Sequence, residues 1–263
     1  MVTALSERQR RELEFYQAYS KLNDPTGISF GWISGQAKPW NSYRWAIDLV
    51  RQNFRSADQK LLDFGCGKGE YSVLLSKIGY EVFGFDICPN NIEIAKRLAS
   101  KYEMAERTHF QVGVAEKLDY PADYFDVVMG TDILHHVEIS HALSECSRVL
   151  KKGGIAIFHE PVRVPVFDTL RETRFGKWLV PKEVSLEHHV TEDERKLSAN
   201  DLELIRSSGL DCSVQQFLFL SRLERFIRIL GMPAFLEKLD FYLFKAVPLL
   251  RRFGGIVIIV LVK

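Results

Sequence analysis

Leu61-Leu-Asp-Phe-Gly-Cys-Gly-Lys-Gly69 is a short apolar run that ends in an acid and passes into three glycines at alternate positions. Glycine lets the backbone turn tightly and leaves no Cβ in the way of an approaching ligand. The residues after Gly69 read as a helix, and N–H groups in such a turn and at a helix start attract electron-rich ligands. The stretch therefore predicts a strand, a ligand-binding turn and a helix in succession.

The spacing of the glycines favours one class of ligand. Gly65-x-Gly67-x-Gly69 lacks the Gly-x-Gly-x-x-Gly spacing of dinucleotide-binding turns, so it favours a small adenosyl ligand over a pyrophosphate-bridged dinucleotide. Residues 80–86 read as a second buried strand that ends at Asp86, about 20 residues after the turn, where nucleoside-binding folds place an acid on the ribose hydroxyls. A carboxylate can accept hydrogen bonds from both ribose hydroxyls, so the glycine turn and Asp86 together predict a nucleoside site. Without the turn, Asp86 would be interpreted as a surface residue at the end of a strand.

The glycine turn and its surroundings resemble a known family. Asp63, Gly65, Gly67 and Gly69 stand where motif I of class I S-adenosylmethionine-dependent methyltransferases has its acid and its glycines. Residues 115–126, 127–137 and 147–154 are similar, in the same order, to that family's passage into the fourth strand, the fourth strand with its loop, and the turn before the fifth strand. One position departs from the pattern, because Val114 stands where the family usually carries an acid that contacts adenine.

The resemblance implies S-adenosylmethionine as the cofactor and a set of residues around it. Because Val114 has no carboxylate, adenine would be bound by backbone near Ala115 or by Glu116, or would have no such partner. Cys66 lies in the glycine turn, where its counterpart in the family is a packing residue, so no chemistry is assigned to its thiol. The implied cofactor-binding set is Asp63, Gly65, Cys66, Gly67, Gly69, Asp86, Ile87, Ala115, Glu116 and Thr131.

Composition excludes several other classes of protein. The 263 residues are 46% hydrophobic and 26% charged, which is ordinary for a globular domain. A net charge of +1 without a basic block predicts no nucleic-acid partner. The first residues lack the pattern of a signal peptide, and no window is long enough to span a membrane. The four cysteines show no Cys-x-x-Cys spacing. Reduced thiols in a cytoplasmic protein are therefore expected.

The pattern of elements predicts an α/β fold. Two helices at 5–20 and 40–54 precede strands that alternate with helices, which implies right-handed crossovers and a mostly parallel sheet. With the antiparallel last strand that the resemblance implies, we expect a Rossmann-like, seven-stranded, mostly parallel sheet with helices on both faces and helical insertions. The predicted strands are 60–64, 81–86, 108–112, 125–130, 154–160, 212–220 and the last residues after Gly255; the predicted helices between them are 69–78, 90–102, 138–150 and 198–208.

A single domain over residues 1–263 is expected, with additions around a central core. Residues 56–161 would form the cofactor-binding core and residues 1–55 a helical lid, in which Tyr16, Tyr19 and Trp32 would either cover the cofactor or simply pack. Residues 162–200 and 222–253 would be insertions on the substrate side. His188 and His189 in the first insertion read as ordinary loop residues.

The candidates for acid–base chemistry follow strands four and five. His135 and His136 lie after the fourth strand, and loops at the carboxyl ends of parallel strands border the ligand crevice. A histidine there suits a general base for a hydroxyl acceptor, and His136 is the preferred one; the alternative is a histidine that caps a helix or bonds to backbone. Glu160 would either orient an acceptor hydroxyl or be a strand-end acid in solvent. No ligand-spaced motif accompanies these three residues, so no metal is predicted.

The expected function is methyl transfer to a small molecule. Apolar and aromatic additions favour a partly hydrophobic acceptor, for which a hydroxyl of a natural product of secondary metabolism or of a lipid-linked sugar fits. A nitrogen or carbon acceptor stays open. An NAD-dependent oxidoreductase and a catalytically inactive cofactor-binding protein are the rival readings, since a fold does not guarantee an activity.

An apolar stripe near the end of the chain allows three roles. The residues that recur at helical spacing could cover an acceptor, rest on a membrane surface, or seal the edge of the sheet. A basic rim beside them is what makes peripheral membrane contact conceivable. The stripe is Phe235, Leu239, Tyr242, Ala246 and Leu250, and the rim is Arg222, Arg225, Arg228, Arg251 and Arg252.

Overall fold

The apolar run before the glycine turn is the centre of a sheet. The computed structural model describes residues 5–22, 40–165, 195–220 and 233–263. The strands in these ranges are β1 (Lys60–Phe64), β2 (Glu81–Asp86), β3 (Thr108–Val112), β4 (Phe125–Thr131), β5 (Leu150–Pro161), β6 (Asp211–Phe217) and β7 (Ile256–Val262). They form one seven-stranded sheet in the order β3-β2-β1-β4-β5-β7-β6.

Strand direction fixes where a ligand can bind. Strands β1 to β5 are parallel to one another, and β7 runs antiparallel to both β5 and β6. The mostly parallel sheet with an antiparallel last strand is therefore confirmed. The chain moves outwards from β1 to β3 and then returns to the other side of β1 as β4. This reversal opens a crevice at the carboxyl ends of β1 and β4, where open α/β sheets bind ligands.

Helices cover both faces of the sheet. The helices that the structure describes are α1 (Glu7–Leu22), α2 (Ser42–Asn53), α3 (Glu70–Ile78), α4 (Pro89–Lys101), α5 (Ile139–Val149), α6 (Ala199–Arg206) and α7 (Pro233–Ala246), with 3-10 turns at Ala105–Arg107, Leu134–His136 and Pro248–Phe253. Side chains of β1 alternate between the faces, as strand geometry requires. Leu61 packs with residues of α2 and α3, whereas Leu62 packs with residues of α5 and α6.

Two strand ends differ from the sequence prediction for physical reasons. Strand β5 begins at Leu150 rather than 154, because Leu150 pairs with Phe125 before an irregularity in the β4–β5 ladder. Strand β6 ends at Phe217 rather than 220, because Leu218 has a positive φ of 59°. The backbone N–H groups of the next two residues, 219 and 220, then donate to the carboxylate of Asp240 on α7 instead of to a strand.

Several predictions fall outside the described residues. Trp32, His188, His189 and residues 222–232 with their three arginines lie there, as does most of the first insertion. The division into one core, a lid and two insertions stays a prediction. Of the helices in the described ranges, none combines the length and the apolar character that crossing a membrane requires.

Candidate active site

The three glycines of the turn after β1 have different surroundings. All have positive φ: 78° at Gly65, 51° at Gly67 and 81° at Gly69. A Cβ at Gly65 would lie 2.7 Å from the side chain of Ile133, and a Cβ at Gly69 would lie 2.7 Å from that of Ala95. A Cβ at Gly67 would meet no protein atom within 4 Å. Gly65 and Gly69 therefore allow close packing of the protein on itself, whereas Gly67 leaves space on the ligand side of the turn.

Asp86 ties the end of β2 to this turn. Its Oδ2 accepts a hydrogen bond from the Gly67 N–H at 3.1 Å, and its Oδ1 accepts from the Cys88 N–H at 2.9 Å and from Asn91 Nδ2 at 3.0 Å. Burial raises the pKa of Asp86. A carboxylate has about four acceptor positions, and these bonds use three of them. The remaining position suits a ligand hydroxyl.

A cleft lies over the turn. The predicted residues that line it are Gly65, Gly67, Asp86, Ile87, Ala115, Glu116 and Thr131. Residues of helix α1 that the sequence pattern did not assign to the site also line it: Gln9 and Glu12, together with Tyr16.

Asp63, Cys66 and Gly69 are not among the residues that line the cleft. Asp63 is buried and accepts a hydrogen bond from the Ser72 hydroxyl, and burial raises its pKa to about 7. Burial also raises the pKa of the Cys66 thiol, in accord with a packing role for this residue. A direct contact of these three residues with the cofactor stays a prediction.

Glu116 connects helix α1 to the cleft through hydrogen bonds. One of its oxygens accepts from Gln9 Nε2 at 2.9 Å, and the other accepts from the Glu138 N–H at 3.0 Å. Both oxygens already bond within the protein but keep acceptor positions, so Glu116 and the backbone beside Ala115 both remain candidates for the adenine contact that Val114 does not supply. The assignment of this contact stays a prediction.

Helix α1 also reaches the loop after β4. The Glu12 side chain is buried, and its Oε1 lies 3.3 Å from Nδ1 of His136. The Tyr16 hydroxyl lies 3.4 Å from Nε2 of the same ring. Arg8 donates to the backbone oxygen of His135 at 2.8 Å. Gln9, Glu12 and Tyr16 are spaced as one face of a helix, and this polar face is the sequence signal that would have found them.

Glu160 holds the loop after β4 from inside the protein. It is 0% exposed, and its Oε1 accepts from the N–H groups of Ile133 at 2.9 Å and Leu134 at 2.7 Å. Its Oε2 lies 2.7 Å from Nδ1 of His135, which is itself buried. The burial of Glu160 contradicts the interpretation of an acid in solvent, and its contact with an acceptor stays a prediction. His135 is turned towards Glu160, which leaves His136 as the histidine at the cleft.

Glu160→Ala should lower the free energy of unfolding by roughly 3 kcal/mol, because two buried N–H groups would lose their acceptor. Chemical denaturation followed by circular dichroism measures this. Glu160→Gln keeps an oxygen that can accept from the same two N–H groups, so it should lose less. Equal stability of the wild type and Glu160→Ala would contradict the role assigned to this carboxylate.

A second cavity adjoins the cleft on the side of helix α1. It is lined by Phe15, Tyr16, Tyr19, Asp132, His135, His136 and Pro161. Tyr16, Asp132 and His136 line both spaces, so they stand at the junction. A nucleoside in the cleft and a second, partly aromatic molecule in the cavity would therefore meet beside these three side chains.

Asp132 is held at this junction by a polar cluster that the sequence pattern did not reveal. Its φ is 54°, which is uncommon for a residue other than glycine. The Tyr43 hydroxyl donates to Asp132 Oδ2 at 3.2 Å, and burial raises the pKa of Tyr43, so the phenol stays protonated. The Tyr43 ring stacks on His159 at 3.9 Å, and His159 Nε2 lies 3.0 Å from the Ser42 hydroxyl. Within the described parts of the chain, no group of three or more histidines, cysteines and acids is arranged to hold a metal.

Part of the chain is similar to known methyltransferases. Residues 62–158 match a protein-family profile described as "Methyltransferase domain". The ubiquinone biosynthesis O-methyltransferase of Pelagibacter ubique is 32% identical over 162 residues, which are 56% of this chain and 66% of that protein. The 27-O-demethylrifamycin SV methyltransferase of Amycolatopsis mediterranei is 33% identical over 111 residues, which are 41% of each chain. The chain thus spans 41–66% of the length of these two relatives.

Solved structures show the same fold over nearly the whole chain. Geranyl diphosphate C-methyltransferase from Streptomyces coelicolor, solved with S-adenosyl-L-homocysteine, has a TM-score of 0.61 and 12% identity and covers 98% of both chains. The [4+2]-cyclase SpnF has a TM-score of 0.61 and 18% identity and covers 98% of this chain and 97% of that one. At these identities the likeness establishes the fold.

Proposed function

We propose that this chain, which carries a class I S-adenosylmethionine-dependent methyltransferase domain over residues 62–158, methylates a hydroxyl of a small, partly hydrophobic acceptor. The observation that carries the proposal is the junction of the two cavities at His136. One cavity has the turn and the acid of a nucleoside site, and the other is lined by aromatic side chains. The names of the two O-methyltransferases among the relatives support oxygen as the acceptor atom.

The residues of the cleft fit the cofactor. Gly67 leaves open space beside its backbone, and Asp86 retains an acceptor position for a ribose hydroxyl. S-adenosylmethionine supplies a methyl group already activated by its sulfonium, so the protein has mainly to bind and align the reactants. The buried Glu12 and the side chain of Tyr16 line this cleft on the side of α1.

Glu12 and His136 form the base in this proposal. Glu12 Oε1 lies 3.3 Å from Nδ1 of His136, and in the tautomer that this proposal assigns it accepts from Nδ1–H, so that Nε2 carries the lone pair. Nε2 points to the junction, where it lies 3.4 Å from the Tyr16 hydroxyl. The acceptor hydroxyl would give its proton to Nε2 as its oxygen bonds to the methyl carbon, while the bond from that carbon to the sulfonium breaks and its electron pair stays on the sulfur. Glu12 then stabilises the imidazolium that results.

Asp86→Ala should weaken S-adenosylmethionine binding by about tenfold to a hundredfold, since a hydrogen bond to a charged group contributes roughly 1.5–3 kcal/mol. Isothermal titration calorimetry measures the affinity. Asp86→Asn is the matched variant, because it keeps an oxygen near the Gly67 N–H and should lose less. Unchanged affinity in a folded Asp86→Ala protein would remove this carboxylate from the cofactor site.

Two experiments separate the proposed function from its rivals. Calorimetry with S-adenosylmethionine and with NAD distinguishes a methyltransferase from an oxidoreductase. Incubation of the protein with isotope-labelled S-adenosylmethionine and a metabolite extract, followed by mass spectrometry, tests turnover and identifies the methylated atom. The [4+2]-cyclase among the structural neighbours is a reason to test turnover as well as binding. Binding without any methylated product would favour a non-catalytic role.

A further inference from the structure

Helix α7 turns an apolar stripe towards solvent. Phe235 is 60% exposed, Leu239 39% and Tyr242 53%, and their spacing places them on one face. The opposite face packs on the protein through Leu236 and Phe244, between which the buried Asp240 caps the end of β6. The exposed stripe residues therefore do not themselves pack on the sheet, and α7 contacts the end of the edge strand β6 through its other face.

Exposed basic residues are interspersed with this stripe along the chain. The 3-10 turn that follows α7 continues the exposed apolar surface with Val247 at 42% and Leu249 at 66%. Residues 233–253 contain four basic residues and two acids. One of those acids is the buried Asp240, and the other, Glu237, lies within hydrogen-bond distance of Asn41. The apolar–basic face comprises Phe235, Leu239, Tyr242, Val247 and Leu249 with Lys238, Lys245 and Arg252.

We propose that the apolar–basic face rests on the surface of an anionic lipid membrane. Aromatic and aliphatic side chains enter the boundary between headgroups and acyl chains, while neighbouring lysines and arginines attract anionic headgroups. Self-association through this face would bring like charges together, so a second copy of the chain is a less favourable binding partner for the face than an anionic membrane. An anionic lipid surface can bury the exposed apolar side chains and attract the positive charges at the same time.

The face is connected to the acceptor cavity through the start of α2. Asn41, the residue before α2, donates to Glu237 of α7 at 3.3 Å, and Lys238 lies 5.5 Å from the centre of the Trp40 ring. Tyr43, two residues further on, donates to Asp132 at the junction of the two cavities. On the basis of the proposed function, we infer that the acceptor is a lipophilic molecule taken from the membrane on this side of the protein.

Co-sedimentation of the full chain with vesicles tests the proposal. We expect binding to vesicles that contain phosphatidylglycerol and phosphatidylcholine, weaker binding as salt is raised, and little binding to phosphatidylcholine alone. Leu239→Glu should lower binding about tenfold, because it removes an inserted apolar side chain and adds a repelled charge. Leu204→Glu on α6 is the matched control, since Leu204 is 41% exposed and lies outside the face.

Three outcomes would overturn the proposal. These are no sedimentation with anionic vesicles, equally weakened binding in Leu239→Glu and Leu204→Glu, and a lipid-free dimer that Leu239→Glu dissociates, which sedimentation velocity would detect. Calorimetry with S-adenosylmethionine keeps this test separate from the proposed function, because neither substitution touches the cofactor cleft. Vesicle binding without cofactor binding would support the membrane contact of the apolar–basic face and contradict the proposed methyltransferase function.

Discussion

Valine at position 67 is expected to lower the affinity for S-adenosylmethionine by about a hundredfold or more while the sheet still folds. A Cβ at Gly67 meets no protein atom within 4 Å, so the new side chain would occupy space that only a ligand uses. Titration calorimetry gives the affinity, and circular dichroism with thermal melting reports whether the fold survives.

The backbone cost of Gly67→Val needs its own control, because a β-branched residue is strained at a φ of 51°. Gly153→Val provides it. Gly153 also has a positive φ, 74°, and open space beside it, but it lies near the amino end of β5, away from the crevice. Both variants should lose similar stability, and only Gly67→Val should lose the cofactor. Normal binding by Gly67→Val would make the turn a purely structural feature.

The glycine turn illustrates what the sequence predicts and what it leaves out. Alternating apolar and helical segments predicted the sheet, because buried parallel strands and crossover helices leave distinct patterns. The three glycines look equivalent in the sequence. Their roles differ because Ile133 and Ala95, which are distant along the chain, pack against two of them and nothing packs against Gly67.

Glu160 shows a second limit of prediction from the sequence, which comes from the geometry of strands. Neighbouring side chains of a strand point to opposite faces, so position at a strand end does not reveal which residue reaches the crevice. On β5, His159 contacts Ser42 and Tyr43 of α2, whereas Glu160 points to the loop after β4 and accepts its N–H groups. The choice between these faces depends on what packs there, and the local sequence does not contain that information.

Helices α1 and α7 show a third limit of prediction from the sequence, which concerns contacts between distant parts of the chain. Glu12 and His136 are 124 residues apart, and only the fold brings them together. In α7 the sequence offers apolar residues on more than one face. The stripe with the clearest helical spacing lies in solvent, and the face that packs carries Asp240, because this acid caps the backbone after β6. Which face is buried follows from partners that periodicity alone does not identify.

His136→Ala should lower kcat by about 10²–10⁴ if the acceptor is a hydroxyl, because the proton would lose its receiver in the transition state. Affinity for S-adenosylmethionine should change much less than kcat, since the predicted cofactor contacts of Asp86 and Gly67 accept no hydrogen bond from this ring. Turnover is measured with the acceptor that the extract experiment identifies.

Two further variants test whether the base acts as the Glu12–His136 pair. Glu12→Gln should lower kcat less than His136→Ala, because Nε2 remains but its tautomer and the imidazolium lose the carboxylate. His141→Ala is the control: this histidine is 74% exposed, pairs with Glu138 and lines neither cavity, so turnover should not change. Full activity in both His135→Ala and His136→Ala would mean that alignment of the acceptor suffices, and that the junction binds the hydroxyl without removing its proton.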